Sequence, residues 1–308
     1  MKVKVRYENF WIGFDNNNNF LTRLFRYGEK EQDLENLNLT CRSVFPRKEA
    51  SWFKIYMKLK HWIKLKLGFD IQKPGVSQLD LENSKERILW YTGENVRPPV
   101  DVGMSLSFDF DDYSGKNLYY PLIYDTLIQS ILGDVDEIFG ARIDFEPLVK
   151  GRILQNGFRK DFCTFINNLT PIREYAVSAI KQEFNLDLFG SFSGNYLKRK
   201  IDISSTYKYI LCFENDSYPG YVTEKLLHAY ALNGVPVYWG DLGKEENINR
   251  KAFVNVSSFR NLDEAVKFLK SLRLRDYKEI YEQPLFSNVP DYGFYSNCII
   301  QKFKSGVI

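Results

Sequence analysis

"YKYILCFENDSYPGYVTEKLLHAYALNGVPVYWGD", residues 207–241, decides the fold class. "YKYILCF" is an apolar run with a buried strand's composition, and "ENDSYPGY" carries the Pro219–Gly220 turn signal. "VTEKLLHAYALN" then follows a helical period up to Gly234, and "VPVYWGD" is the next strand. Strand, helix and strand in this order form a βαβ unit. Leu226, Leu227, Tyr230 and Ala231 share one helical face and can bury against the sheet. That leaves Glu224 and Lys225 in the first turn, near the carboxyl end of the preceding strand, where open α/β sheets bind ligands. A helix N-terminus already carries roughly half a positive charge, so a lysine there calls for an anion.

Residues 160–184 repeat the pattern. "DFCTFINN" is strand-like and "TPIREYAVSAIKQEF" helical, with Thr170 expected as N-cap and Pro171 in the first helical position. Arg173 therefore also falls in a first turn. Two helix N-termini in one sheet, each bearing a cation, suit a diphosphate. The alternative, Arg173 paired with a nearby carboxylate and Lys225 merely solvated, stays open at this point.

The rest of the chain extends this alternation. "KVKVRYENFW", "RILWYTGEN" and "MSLSFDF" are further strand-like runs, so the fold class is α/β. Between Gly133 and Lys160 the period is lost and Gly140, Pro147, Gly151 and Gly157 accumulate, which marks a junction. The expected domains are 1–150 and 151–308, with the final helix free to pack back on the first. The Asn16–Asn19 tract reads as a short polar loop.

Composition excludes several classes. The 308 residues are 44% hydrophobic, enough for substantial cores, and a net charge of +3 gives no general nucleic-acid surface. Four scattered cysteines lack metal-ligand spacing and are expected as buried thiols. The N-terminal "MKVKVRYENFW" alternates like a strand and lacks a signal peptide's apolar core, and no run approaches transmembrane length. The expected location is cytoplasmic. Only His61 and His228 are histidines, so a histidine-dependent mechanism is not expected.

Together, "FENDSYPGYVTEK", "PVYWGD", "WYTGEN" at 90–95, "FCTFINN", the arginine of "PIREY" and "AFVNVSSF" at 252–259 closely resemble the signatures of the alpha-1,3/4-fucosyltransferase family. The resemblance covers about residues 88–285. It implies a GT-B architecture, two Rossmann-like domains facing a cleft, the first for acceptor and the second for a GDP-sugar. By motif it implies that Arg173 and Lys225 hold the diphosphate of GDP-fucose, that Asn215 and Glu224 contact the donor, and that Tyr221 lines the nucleotide pocket. Fixed cations there would stabilise the charge that develops on the departing diphosphate. Glu94, on a turn after a strand, is the expected general base of a single displacement with inversion.

The implied reaction moves L-fucose from GDP-fucose to a hydroxyl, O3 of N-acetylglucosamine, in a galactoside-containing glycan such as N-acetyllactosamine of a lipopolysaccharide O-antigen. Another GDP-deoxysugar as donor, or a catalytically silent GDP-sugar or glycan-binding protein, are the alternatives. No cofactor is required on this reading, with manganese or magnesium at most stimulatory. "FDFDD" at 108–112 resembles an acidic metal triplet, yet a strand end is the preferred reading and no metal ligand is assigned. Acceptor choice is expected to rest on the first 87 residues and the loops around Trp11 and Trp90. In "WFKIYMKLKHWIKLKLGF", residues 52–69, Trp52, Ile55, Tyr56, Leu59 and Trp62 group opposite several lysines, a pattern for peripheral contact with an anionic membrane or for covering the protein's own domain.

Overall fold

In the computed structural model, the residues described are 4–8, 10, 15–27, 38–43, 88–98, 103–154 and 160–304. The segment 52–69, Trp11 and Gly157 lie outside them. The described residues form two compact units, those up to 120 together with 292–304, and those from 121 to 291.

The first unit holds strands β1 (Lys4–Glu8), β2 (Asn38–Arg42), β3 (Ile88–Tyr91), β4 (Met104–Ser107) and β5 (Asn117–Tyr119), side by side in that order and all parallel. Every residue of β3 and β4 is buried, as a parallel sheet covered on both faces requires. Trp90 is 1% exposed within β3, so it is a core residue and offers no loop surface to an acceptor. Helix α1 (Phe20–Tyr27) buries Phe20, Leu21 and Leu24, and Phe20 stacks on Tyr91 at 3.6 Å between ring centroids. Its start explains the asparagine tract: Asn19 is 3% exposed, and its Oδ1 accepts hydrogen bonds from the backbone N–H of Leu21 and Thr22.

The second unit begins with helix α2 (Leu122–Leu132), which Gly133 closes in the left-handed region at φ 68°. A small hairpin, β6 (Val135–Asp136) with β7 (Ala141–Arg142), and helix α3 (Phe145–Lys150) follow. These elements occupy the stretch read from sequence as the end of the first domain, and they pack with the second unit because α2 lies against the helix that follows Lys225's turn. The main sheet comprises β8 (Lys160–Phe165), β9 (Leu186–Phe189), β10 (Tyr207–Phe213), β11 (Val235–Trp239) and β12 (Val254–Asn255). Its spatial order is β9-β8-β10-β11-β12, all parallel. Numbered within the unit this is 2-1-3-4-5, with the direction of winding switching between β8 and β10.

Helices α4 (Pro171–Glu183) and α5 (Glu224–Ala231) are the two that carry the candidate cations. Helices α6 (Leu262–Ser271) and α7 (Leu274–Tyr281) complete this unit, and α8 (Tyr292–Lys304) belongs to the first. The core under α4, α6 and α7 includes Phe162, Tyr209, Leu211, Val237, Val266 and Tyr277. Helix α5 buries Leu226, Leu227 and Tyr230 completely against its neighbours. It ends at Ala231, earlier than Gly234, and Asn233 just beyond it has a φ of 60°, a conformation asparagine tolerates. Gly234 instead allows close approach: a Cβ there would lie 2.7 Å from Ile210 Cγ1.

Cys41, Cys163 and Cys212 are buried, Cys298 is half-buried, and all four are free thiols. Among the described residues no helix is long and apolar enough to cross a membrane.

Candidate functional site

A cavity of about 440 Å³ opens at the carboxyl ends of β8, β9 and β10, lined by Thr164–Asn168, Phe189, Gly190, Ile210–Phe213 and Asn215. That places it at the switch point of the sheet, where adjacent crossovers leave in opposite directions and leave a crevice. Its wall carries Arg173, Lys198, Arg199, Lys200 and Lys225 against a single carboxylate, Glu224. Such a surplus of cations in a concave site favours a multiply charged anion.

Arg173 reaches the cavity because Pro171 starts α4 two residues earlier and directs the first turn toward the end of β10. Thr170 occupies the N-cap position, but its side chain caps nothing and its buried hydroxyl has no partner among the described residues. Arg173 is 5% exposed. Its Nη1 donates to Asn168 O at 2.9 Å, and Nη2 to Phe213 O at 2.6 Å and Asn215 Oδ1 at 2.9 Å. The guanidinium thus ties the ends of β8 and β10 together through neutral acceptors, without a carboxylate partner among the described residues. Burial lowers its pKa from the usual arginine value, opposed by Glu214, Tyr221 and Glu224.

Lys225 is held differently. Thr223 caps α5, and its Oγ1 accepts from Lys225 Nζ at 2.9 Å while donating to Glu214 Oε2 at 2.7 Å. Glu214 Oε2 also lies 3.2 Å from Nζ, and Glu224 Oε1 3.5 Å. Burial works against the ammonium, but Glu214 and Glu224 outweigh it and raise its pKa above the ordinary lysine value. Glu224 is held at about 2: burial opposes its charge, and Lys225 and Lys200 overcome that penalty. The solvated reading of Lys225 and the carboxylate-paired reading of Arg173 are thus exchanged: the lysine is the ion-paired cation.

The other expected residues fall in three places. Asn215 and Glu224 line the cavity. Tyr221 is 3% exposed and does not line it, although its phenol is near enough to influence Arg173. Glu94 belongs to the first unit, exposed beyond the carboxyl end of β3, in a turn where its N–H donates to Thr92 Oγ1 at 3.0 Å and its carbonyl accepts from Val96 N at 2.7 Å. The acidic run at 109–112 is spent on its own turn: Asp109 accepts from Asp111 N and, at 2.6 Å, from the Tyr113 hydroxyl. Among the described residues no group of three or more His, Cys, Asp or Glu is arranged to hold a metal.

Two residues that sequence reasoning missed shape the site. Glu214 is completely buried and fixes both the cap of α5 and the ammonium of Lys225. Its signal was its place immediately after a buried strand, where a carboxylate needs a partner. Lys200 enters from a 3-10 turn, Lys200–Ile203, distant in sequence from both helix N-termini.

A parallel 2-1-3-4-5 sheet with a cation-lined cavity at its switch point defines a Rossmann-like α/β domain. Residues 159–283 match the family described as glycosyltransferase family 10 (fucosyltransferase), C-terminal part. The chain is 29% identical over 251 residues to the alpha-(1,3)-fucosyltransferase FucT of Helicobacter pylori, covering 73% of this chain and 52% of that protein. It is 30% identical over 116 residues to a mouse 4-galactosyl-N-acetylglucosaminide 3-alpha-L-fucosyltransferase 9, covering 36% of this chain and 32% of that one. The chain therefore spans about half, or less, of the length of these relatives. A crystal structure of an alpha1,3-fucosyltransferase with GDP-fucose superposes with a TM-score of 0.67 at 20% identity, covering 99% of this chain and 90% of that one. The fold is GT-B, and residues 159–283 carry the match to the C-terminal part of glycosyltransferase family 10.

Proposed function

We propose that the chain is an inverting alpha-1,3-fucosyltransferase that transfers L-fucose from GDP-fucose to O3 of N-acetylglucosamine in a galactoside-containing glycan, such as N-acetyllactosamine of an O-antigen. The observation that carries this reading is the cation-lined cavity at the sheet's switch point, built from the segments whose sequence resembles the family's donor signature. Arg173 and Lys225 hold the diphosphate. Both are fixed before any ligand arrives, so little reorganisation accompanies the growth of negative charge as the glycosidic bond breaks. Asn215, oriented by Arg173, and Glu224 contact the donor. Glu94 accepts the proton of the acceptor hydroxyl, whose oxygen attacks the anomeric carbon as GDP leaves. No metal is needed to neutralise the leaving group where fixed cations already do so.

The test is transfer to N-acetyllactosamine from GDP-fucose and from a panel of other GDP-sugars, read by mass spectrometry. Transfer from GDP-fucose with inversion at the anomeric carbon is the expected result. Transfer only from another GDP-deoxysugar would overturn the donor assignment, and GDP binding without any transfer to a broad glycan panel would favour a binding protein.

A further inference from the structure

Lys200 stands apart from the other cations of the cavity in how it is held. Its Nζ lies 3.2 Å from His228 Nδ1, and His228 Nε2 lies 2.9 Å from Asp136 Oδ2. An ammonium can only donate, so Nδ1 must accept. The imidazole is therefore neutral, with its proton on Nε2 and donated to Asp136. Burial, reinforced by the charge of Lys200, lowers the histidine's pKa, consistent with that tautomer. The ring is 2% exposed and packs near Phe139, so it has no freedom to turn.

The result is a directional chain, ammonium to imidazole to carboxylate, that begins in the cavity with Lys200. Lys225 has Glu214 at 3.2 Å, whereas Lys200 makes no ion pair among the described residues. A desolvated ammonium whose fixed partner is a neutral ring lacks full compensation of its charge. Lys200, Lys225, Arg173 and His228 all line the same cavity. Helix α5 presents Glu224, Lys225 and His228 to it from one turn, so this relay and the Lys225 cluster share one rigid element.

We infer that Lys200 is a third anion-binding residue of this site, contacting the phosphates of a nucleoside diphosphate, and that His228 and Asp136 are positioning residues that aim its ammonium. This rests on the donor-site reading above. Its chemistry would be charge-assisted hydrogen bonding to a phosphate oxygen, a contact retained by product GDP as well as by donor.

The experiment measures binding of GDP, guanosine and inorganic pyrophosphate to wild type, Lys200→Ala, Lys200→Arg, His228→Leu, His228→Gln and the double variant Lys200→Ala/His228→Leu. Thermal unfolding of each reports folding. Lys200→Ala is expected to weaken GDP and pyrophosphate about tenfold, the size of one lost charged hydrogen bond, and to leave guanosine unchanged. His228→Leu should weaken GDP similarly, and the double variant should be no weaker than either single one, because the histidine acts through the lysine. His228→Gln, which keeps an acceptor and a donor, should retain most of the affinity, as should Lys200→Arg. Folded Lys200→Ala binding GDP as tightly as wild type would overturn the inference. An additive double variant would remove the positioning role. Wild type that binds pyrophosphate through Lys200 but not GDP would leave the anion site standing and sink the guanine-nucleotide reading; wild type that binds neither would end both.

Discussion

Glu214 Oε2 lies 3.2 Å from Lys225 Nζ, with the carboxylate fully enclosed. The same carboxylate accepts from Thr223 N at 2.8 Å and Thr223 Oγ1 at 2.7 Å, so one buried charge sets the cap of α5 and the position of the cation at its N-terminus. A solvated lysine would have to be ordered by each incoming ligand, whereas this one is ordered by the fold.

Removing Glu214 should therefore damage the fold as well as the site. Glu214→Ala leaves a partly buried ammonium and a cap without its partner, and is expected to cost about 3 kcal/mol. Chemical denaturation measures this. A loss within about 0.5 kcal/mol, the size of an ordinary surface change, would show that the pair contributes little.

Arg173→Lys should fail as a conservative change. A lysine cannot donate in one plane to Asn168 O, Phe213 O and Asn215 Oδ1, so both the ligand contact and the link between β8 and β10 are lost. GDP affinity measured by calorimetry should fall at least about tenfold, with Arg173→Ala no better. Unchanged affinity in Arg173→Lys would remove Arg173 from the diphosphate site.

Stability should depend on acid through Glu224. Its folded pKa is about 2 against an ordinary 4.5, because Lys225 and Lys200 overcome the cost of burial. A depressed carboxylate pKa contributes stability in full above the unfolded value and loses it as pH falls through the folded one. The stability gap between wild type and Glu224→Gln should thus be widest above about pH 4.5 and close toward pH 2. A gap that stays constant across this window would mean that the carboxylate's charge is not what stabilises it.

Chelation should leave transfer intact. On the proposed reading Arg173 and Lys225 are fixed counter-charges for the diphosphate, and Asp109 is committed to its own turn by Tyr113 and Asp111. Assays with and without EDTA should agree, with manganese at most stimulatory. Complete loss in chelator, restored by metal, would direct attention to Asp109 and Asp111.

What could be read from the sequence was what local patterning controls. The βαβ unit at 207–241 and the first-turn positions of Arg173 and Lys225 follow from apolar period, Pro171 and the turn at Pro219–Gly220. Glu214 and Lys200 escaped because their roles exist only once distant segments meet: Glu214 faces Thr223 across a turn, and Lys200 meets His228 across 28 positions of chain. Thr170 shows the reverse failure, a cap residue in the right place whose hydroxyl makes no cap. Trp90 itself is buried in the parallel sheet, a placement that the motif beside it did not reveal.

The most direct test of the account compares wild type with Glu94→Gln for fucose transfer from GDP-fucose to N-acetyllactosamine, with GDP affinity measured on both. The account predicts transfer by wild type, a loss of at least about a hundredfold in the variant, and equal GDP binding by the two. Full activity in Glu94→Gln would contradict the assignment of the base, and a wild-type chain that does not bind GDP would contradict the account at its centre.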